Sequence, residues 1–368
     1  MHHSPPESAE AAQAKPIKQE QQRATTDITE VAPGVLRSQL PIDMPGLGHV
    51  NCYLLEDERG LAIVDPGLPG PEPWNALVDR LGRAGYRVAD VHTVIVTHSH
   101  LDHFGGANRM RYETGADIVA HEAFRTLFDQ AVIGESEDSS ALAVNTAEER
   151  LAAIEQHIVR PNPWGGHRQP LSPDFVEQMR AGHATHGARY EPLQPTLPLV
   201  EGRTIRLARR EWVTMHTPGH TFDHVCLYDP EFGVVFTGDH VLPSITPHIS
   251  GLSPQTDPLA HFFESLARMA GMNGVSVALP AHGHPFTDLR ARSEQIIEHH
   301  GERLDVIRQA THNLTDGTVN DFMRVLFRER SWGDMAESET FAHLEHLRLL
   351  GELERTDVDG WARYRLVG

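Results

Sequence analysis

The chain has 368 residues, 39% of them hydrophobic, and sets 32 Lys and Arg against 51 Asp and Glu for a formal charge of −19. A surface this acidic repels phosphate backbones unless a basic patch is set aside. No long basic run is present, which disfavours nucleic acid as a partner. No apolar stretch reaches the roughly 18 residues of a membrane helix, so no membrane span is expected.

In chain order, Met1 to about residue 26 is polar and offers little to bury, which reads as a disordered tail. The start, MHHSPPESAEAAQAKPIKQEQQ, lacks the apolar centre of a secretory leader, and a cytoplasmic location is expected. Short strands follow in GVLRSQLPI, NCYLLED and GLAIVDPG, each bounded by Gly, Pro or charged residues. Helical spacing of Trp74, Leu77, Leu81 and Tyr86 leads to the strand HTVIVTH, a helix starting near Gly105 and Gly106, and the strand ADIVAH. This alternation describes layered α/β packing. Glu122 to Leu197 breaks it with helical pieces around a Pro/Gly-rich RPNPWGGHRQP, and reads as a helical insertion serving as lid or substrate wall.

Strands resume in TIRLARREWVTMHTPGH, HVCLYDP and GVVFTGDHV, followed by the helix DPLAHFFESLARMAG, the strand VSVALPAHG and a long helix from about Leu289 to Asn313. The end of the chain supplies two amphipathic helices and the hairpin LERTDVDGWARYRLV, the outline of a winged helix. The expected division is a tail over 1–26, a catalytic domain over 27–313 with its insertion at 122–197, and a small winged-helix domain over 314–368. Cys52 and Cys226 lie in strand-like apolar contexts without metal-type spacing and read as buried reduced thiols.

The segment VIVTHSHLDHFGG concentrates titratable groups at the mouth of a strand. Alternate side chains of an extended segment share a side, so His98 and His100 can face one ion. Asp102 continues the alternation, and a turn at Asp102–His103 would bring both to a neighbouring position. Imidazole and carboxylate donors without thiolate suit zinc, iron or manganese in an open, reactive site. Three further candidates follow apolar strands: His220 in MHTPGHTFDH, Asp239 in VVFTGDH and His282 in VALPAHGHP. A lone histidine in such a place is more often a solvated turn residue, and the chain has 25 histidines. His167, His183, His186, His299 and His300 accordingly read as surface or insertion residues.

Together THSHLDHFGG, IVDPG, TPGHT, FTGDH and PAHG resemble the five-motif pattern of the metallo-β-lactamase superfamily of hydrolases. The resemblance spans about residues 27–313 and implies an αββα four-layer sandwich with two divalent metal ions at one edge, zinc first and iron or manganese as alternatives. It implies His98, His100 and His220 at one metal, Asp102, His103 and His282 at the second, and Asp239 between them. Asp65 matches the motif whose carboxylate orients a ligand histidine or the attacking water, although an Asp-Pro-Gly turn reads as such by itself. Catalytic roles are thus expected for Asp102 and Asp65. His224 and His240 are candidates for support.

Within the superfamily, GHTFDH, GDHVLPSITPHIS and the terminal outline resemble lactamase-like hydrolases related to glyoxalase II. The expected function is hydrolysis of a thioester or other acyl ester by water that the cations make acidic near neutral pH. Lactone hydrolysis and an RNA phosphodiesterase are the alternatives, and a metal-retaining binding protein is a third. The terminal hairpin balances Arg355, Arg363 and Arg365 against Glu354, Asp357 and Asp359, unlike a groove reader. It is expected to pack on the catalytic domain or on a second copy in a homodimer.

Overall fold

In the computed structural model the described residues are 17–44, 46–126, 161–167 and 193–367. Most of the expected insertion, with His183 and His186, lies outside them.

Seven strands form the first sheet in sequence order: β1 (Thr29–Ala32), β2 (Val35–Met44), β3 (Leu47–Asp57), β4 (Gly60–Val64), β5 (Val91–Ile95), β6 (Asp117–His121) and β7 (Leu197–Leu199). Its first four strands pair antiparallel and β4 to β7 pair parallel. The second sheet contains β8 (Thr204–Leu207), β9 (Arg210–His216), β10 (Val225–Asp229), β11 (Val234–Gly238) and β12 (Val277–Pro280), in the order β12-β11-β10-β9-β8. Here β11 and β12 are parallel, and β9 runs with β11 because both pair antiparallel with β10.

Strand alternation explains the layers. Tyr53, Leu55, Val64 and Ile95 face Trp212, Val225, Leu227 and Phe236 in the core between the sheets. Their neighbours Cys52, Leu54, Ile63, Val94 and Val96 face the other way, onto Trp74, Leu77 and Leu81 of α1 (Pro71–Arg83). The second sheet likewise turns Cys226, Val235 and Ala278 toward Phe262, Leu266 and Met269 of α4 (Pro258–Gly271) and Ile296 and Leu304 of α5 (Leu289–Ala310). Helix, sheet, sheet and helix are thus stacked. Both cysteines are free and buried.

Two short helices follow β5: α2 (Leu101–Phe104) and α3 (Ala107–Thr114). The expected turn at Asp102–His103 is therefore a short helix of its own, and the helix expected at the glycines is α3, with Gly106 at its N-cap. Gly105 and Gly106 keep negative φ. Their role is close packing: a Cβ would lie 2.3 Å from Pro69 Cδ and 2.5 Å from the Pro66 carbonyl respectively.

The last elements are β13 (Gly317–Thr318), α6 (Val319–Leu326), α7 (Asp334–Leu349), β14 (Leu353–Val358) and β15 (Trp361–Leu366), with sheet order β13-β15-β14. Thr318 caps α6, its hydroxyl accepting from the Asp321 N–H while the Asp321 carboxylate accepts from the Thr318 N–H. Phe322, Phe341, Leu344, Leu347 and Tyr364 share one apolar cluster with α4 and α5. This end of the chain packs into the body.

Two expectations are corrected. The polar start does not remain free up to residue 26. Gln19–Gln21 forms a 3-10 turn, and the fully buried Glu20 carboxylate accepts from the N–H groups of Ser244 and Ile245 at 2.7 and 3.1 Å. Composition could not reveal these partners, which lie more than 220 residues away. His300 is not a surface residue: it is fully buried between α5 and α7, hydrogen-bonded to His343.

Candidate metal centre

The parallel strands deliver their carboxyl ends to one edge of the sandwich, where sheets of this kind place ligands. Asp65 follows β4, Thr97 and His98 follow β5, Asp239 follows β11 and His282 follows β12. His220 follows β9 through a Pro–Gly turn on the same edge. His100 keeps extended backbone, with φ −80° and ψ 146°, immediately before α2. One helical turn then carries Asp102 and His103 away from the side that His98 and His100 face.

All seven candidate ligands converge. Donor atoms of His98, His100, His220 and Asp239 lie within 4.8 Å of one another, as do those of Asp102, His103 and His282. His100 Nδ1 is 3.0 Å from His98 Nε2 and 3.1 Å from His220 Nε2. Asp102 Oδ2 lies 3.4 Å from both His103 Nε2 and His282 Nε2. Asp239 spans the two groups, with Oδ2 at 3.6 Å from His220 Nε2 and from His103 Nε2, and Oδ1 at 3.3 Å from His282 Nε2.

Four imidazoles have their tautomer set from behind. His103 Nδ1 donates to Asp65 Oδ2 at 2.9 Å, His282 Nδ1 to the His49 carbonyl at 2.6 Å, and His220 Nδ1 to the His248 carbonyl at 2.7 Å. The Thr97 hydroxyl donates to Asp65, so its oxygen accepts from His98 Nδ1 at 3.1 Å. Each Nε2 then presents a lone pair toward carboxylate oxygens that also only accept. His103 Nε2, His282 Nε2 and Asp239 Oδ1 are buried and have no hydrogen-bond partner. Buried acceptors facing acceptors are costly unless cations or protons lie among them. The donor set therefore fits divalent cations.

The proton equilibria describe the same field. Burial opposes charge on His103, yet Asp102, Asp239 and Asp65 together raise its pKa well above the ordinary value. His282 is raised despite burial, by Asp239 and Asp102. Asp239 is held well below the carboxylate range, burial being outweighed by His282 and His103. His98, more remote from the carboxylates, is pushed well down by burial and by the neighbouring rings.

Asp65 is the hub behind His103. Its carboxylate also accepts from the Thr97 N–H at 2.9 Å, and its φ of 55° turns the chain into the Pro66–Gly67 segment. His224 supports Asp239, its Nε2 accepting from the Asp239 N–H at 3.1 Å while its Nδ1 bonds the Thr217 hydroxyl at 2.7 Å. Only glycine fits at 238, where φ is 49° and a Cβ would lie 2.5 Å from that Nε2. His240 is packed behind these, its ring 5.8 Å from His224 and 5.1 Å from Phe262.

Sequence reasoning passed over the support of the His282 loop. Asn51 Nδ2 donates to the carbonyls of Pro280 and Gly283 at 2.8 and 2.9 Å, and the Tyr53 hydroxyl donates to Pro280 at 2.7 Å. The Gly283 N–H is bonded to His49 Nε2 at 3.0 Å. A signal existed: His49 and Asn51 interrupt an otherwise apolar strand at alternate positions, on one face. Asp223, whose Oδ1 accepts from Ser99 Oγ at 2.9 Å, was also passed over, and burial pushes its carboxyl up to about 7.

Residues 45–298 match the sequence pattern of the Metallo-beta-lactamase superfamily. The chain belongs to that superfamily. The superfamily implies divalent metal ions, in keeping with the His and Asp clusters. The superfamily's fold recurs in a metallo-beta-lactamase family protein from Thermus thermophilus, 29% identical, with a TM-score of 0.68 over 92% of this chain and 100% of that one. Lactamase-like protein adaB of Aspergillus niger is 39% identical over 260 residues, 70% of this chain and 57% of the relative. An atrochrysone carboxyl ACP thioesterase, nsrC of Aspergillus novofumigatus, is 34% identical over 124 residues, 33% of this chain and 36% of the relative. The first two curated matches are covered over only 66% and 57% of their own lengths. Among the described residues no helix is long and apolar enough to cross a membrane.

Proposed function

We propose that the protein is a hydrolase dependent on two divalent cations, zinc by preference, acting on a thioester or other acyl ester. One observation carries the reading: His98, His103, His220 and His282 present lone pairs, set by hydrogen bonds from behind, toward a carboxylate, Asp239, that faces both groups. His98, His100 and His220 would hold one cation and Asp102, His103 and His282 the other, with Asp239 shared. When bound, the cations supply Lewis acidity, making water acidic near neutral pH and stabilising negative charge on an attacked carbonyl. Asp65 keeps His103 in the ligating tautomer, and the Asn51 and His49 bonds keep His282 aimed. Burial of the carboxylates strengthens their hold on positive charge.

The acyl substrate rests on the likeness to a named ACP thioesterase. Surface charge favours it over RNA. Each arginine of the terminal hairpin is engaged by an acid: Arg355 by Asp357 and Glu345, Arg363 by Asp316, and Arg365 by Glu354. We read the terminal helices and hairpin as a winged-helix-like unit turned to packing rather than to a nucleic-acid groove. The two buried free thiols fit a reducing compartment such as the cytoplasm.

The test is turnover by metal-quantified protein of acyl carrier protein and CoA thioesters, lactones and single-stranded RNA at equal metal content. Thioester cleavage abolished by a chelator and restored by zinc is expected. Chelator-sensitive cleavage of RNA alone, or turnover that survives complete metal removal, overturns the reading.

A further inference from the structure

The loop between β11 and α4 passes over the metal centre and supplies the carbonyl of His248, to which His220 Nδ1 donates at 2.7 Å. That carbonyl fixes which His220 nitrogen carries the proton, and so leaves Nε2 free to ligate. Near residue 244 the loop is held by Glu20, and by Arg292, which donates to the carbonyls of Leu242 and Ile245 at 2.6 and 2.7 Å. Around residue 248 the hold comes from α7. Glu339 Oε2 accepts from His248 Nδ1 at 3.2 Å, and Ser338 Oγ accepts from the Gly251 N–H at 3.0 Å. The chain closes against the helix so tightly at Gly251 that a Cβ would lie 2.5 Å from the Ser338 carbonyl.

Glu339 also belongs to a cluster with His300 and His343 whose donor atoms lie within 4.8 Å of one another. His343 Nδ1 donates to the Glu339 carbonyl at 2.7 Å, His300 Nδ1 is 3.0 Å from His343 Nε2, and Arg303 lies 3.3 Å from Glu339 Oε1. The ring nitrogens form one directed chain that ends at the buried, unpartnered His300 Nε2, and Arg303 balances the carboxylate. That leaves the second carboxylate oxygen for His248. The Glu339 side chain is only 14% exposed, so its bond to His248 is shielded from competing water.

We propose that Glu339 is a positioning residue of the metal centre, orienting His220 through His248 from the last helix of the chain. The inference rests on reading His98, His100 and His220 as a metal site. Through it, the C-terminal end of the chain becomes part of the catalytic edge rather than an appendage. Its contribution is to hold a backbone carbonyl that no side-chain substitution at 248 can remove.

The test measures affinity of the full chain for zinc and cobalt by competition with a chromogenic chelator, together with the visible spectrum of the cobalt protein. Glu339→Gln and His248→Ala are each expected to weaken one metal equivalent about tenfold and to shift the cobalt bands, within the range seen for such outer contacts. The double variant is expected to be no weaker than the worse single one, because both break the same link. His346→Ala removes a different contact of α7, the 2.9 Å bond to Asp257, and is expected to bind as wild type does. If Glu339→Gln does not fold, His248→Ala carries the comparison, since it leaves α7 intact. Wild-type affinity and spectrum in His248→Ala, additive losses, or an equal loss in His346→Ala overturns the proposal while leaving the metal centre standing. Wild-type protein that binds neither metal overturns the centre and the proposal together.

Discussion

Asp65 and His103, 38 residues apart, meet at 2.9 Å, and the same Asp65 oxygen also accepts from the Thr97 hydroxyl. One carboxylate thereby ties the end of β4 to the end of β5 and to the histidine two residues before Gly105.

Replacing that carboxylate tests its role. In D65N the amide oxygen can still serve Thr97, but its NH2 group meets the His103 N–H and drives the ring toward the other tautomer. Affinity for the metal equivalent proposed at Asp102, His103 and His282 is expected to fall about 10–100-fold. Metal content after dialysis against graded chelator reads this directly, and retention of both equivalents at wild-type strength counts against it.

Asn51 makes a different demand. N51A leaves the buried Gly283 carbonyl short of a donor, while the Pro280 carbonyl keeps the Tyr53 hydroxyl. A loss of about 1–3 kcal/mol in urea unfolding is expected for the group left unsatisfied, accompanied by weaker metal binding as the His282 loop loosens. Unchanged stability together with unchanged metal affinity would show that the loop holds itself.

The pH dependence has a definite sign. His103 and His282 are raised above the ordinary 6.5, so in chelator-stripped protein their contribution to stability is full below that value and is lost as pH rises through their raised values. Asp239 is held low, so its contribution is present above the usual carboxylate range and fades only as pH falls through its lowered value. Cations must displace the two histidine protons. The difference in Tm between loaded and stripped protein is therefore expected to widen from about pH 6 to about pH 8. Thermal scans across that range showing a constant or shrinking difference would refute the assignment of these rings as ligands.

The inter-sheet core reaches the site through Phe236, three residues before Asp239. Its ring is 5.1 Å from Tyr53 and 4.9 Å from Trp212. F236A is expected to cost about 3–5 kcal/mol in chemical denaturation, with metal affinity falling less than in D65N because Gly238 and His224 still brace Asp239. A loss under about 1 kcal/mol would mean that the sheets collapse onto the gap.

Local chemistry was legible where it is written in consecutive residues. The apolar strands, the helical spacing of Trp74, Leu77 and Leu81, and the compact run from His98 to His103 announce themselves because side-chain periodicity is a property of the backbone. The strand-end positions of His220, Asp239 and His282 were legible for the same reason, each closing an apolar run. Asp102 and His103 were located but given the wrong backbone, since a four-residue helix is too short to show a period.

What only the tertiary structure decided is which distant atoms stand behind those ligands. Glu20 reaching Ser244, Asn51 reaching Pro280, and Glu339 reaching His248 each join segments that share no pattern in the sequence. A hydrogen bond constrains direction and distance between two atoms, and neither leaves a trace along the chain. The sequence by itself determined the layered sheets and the set of candidate ligands at one edge. Packing of helices onto those sheets determined how the ligands are held, because burial removes the water that would otherwise satisfy their outer nitrogens.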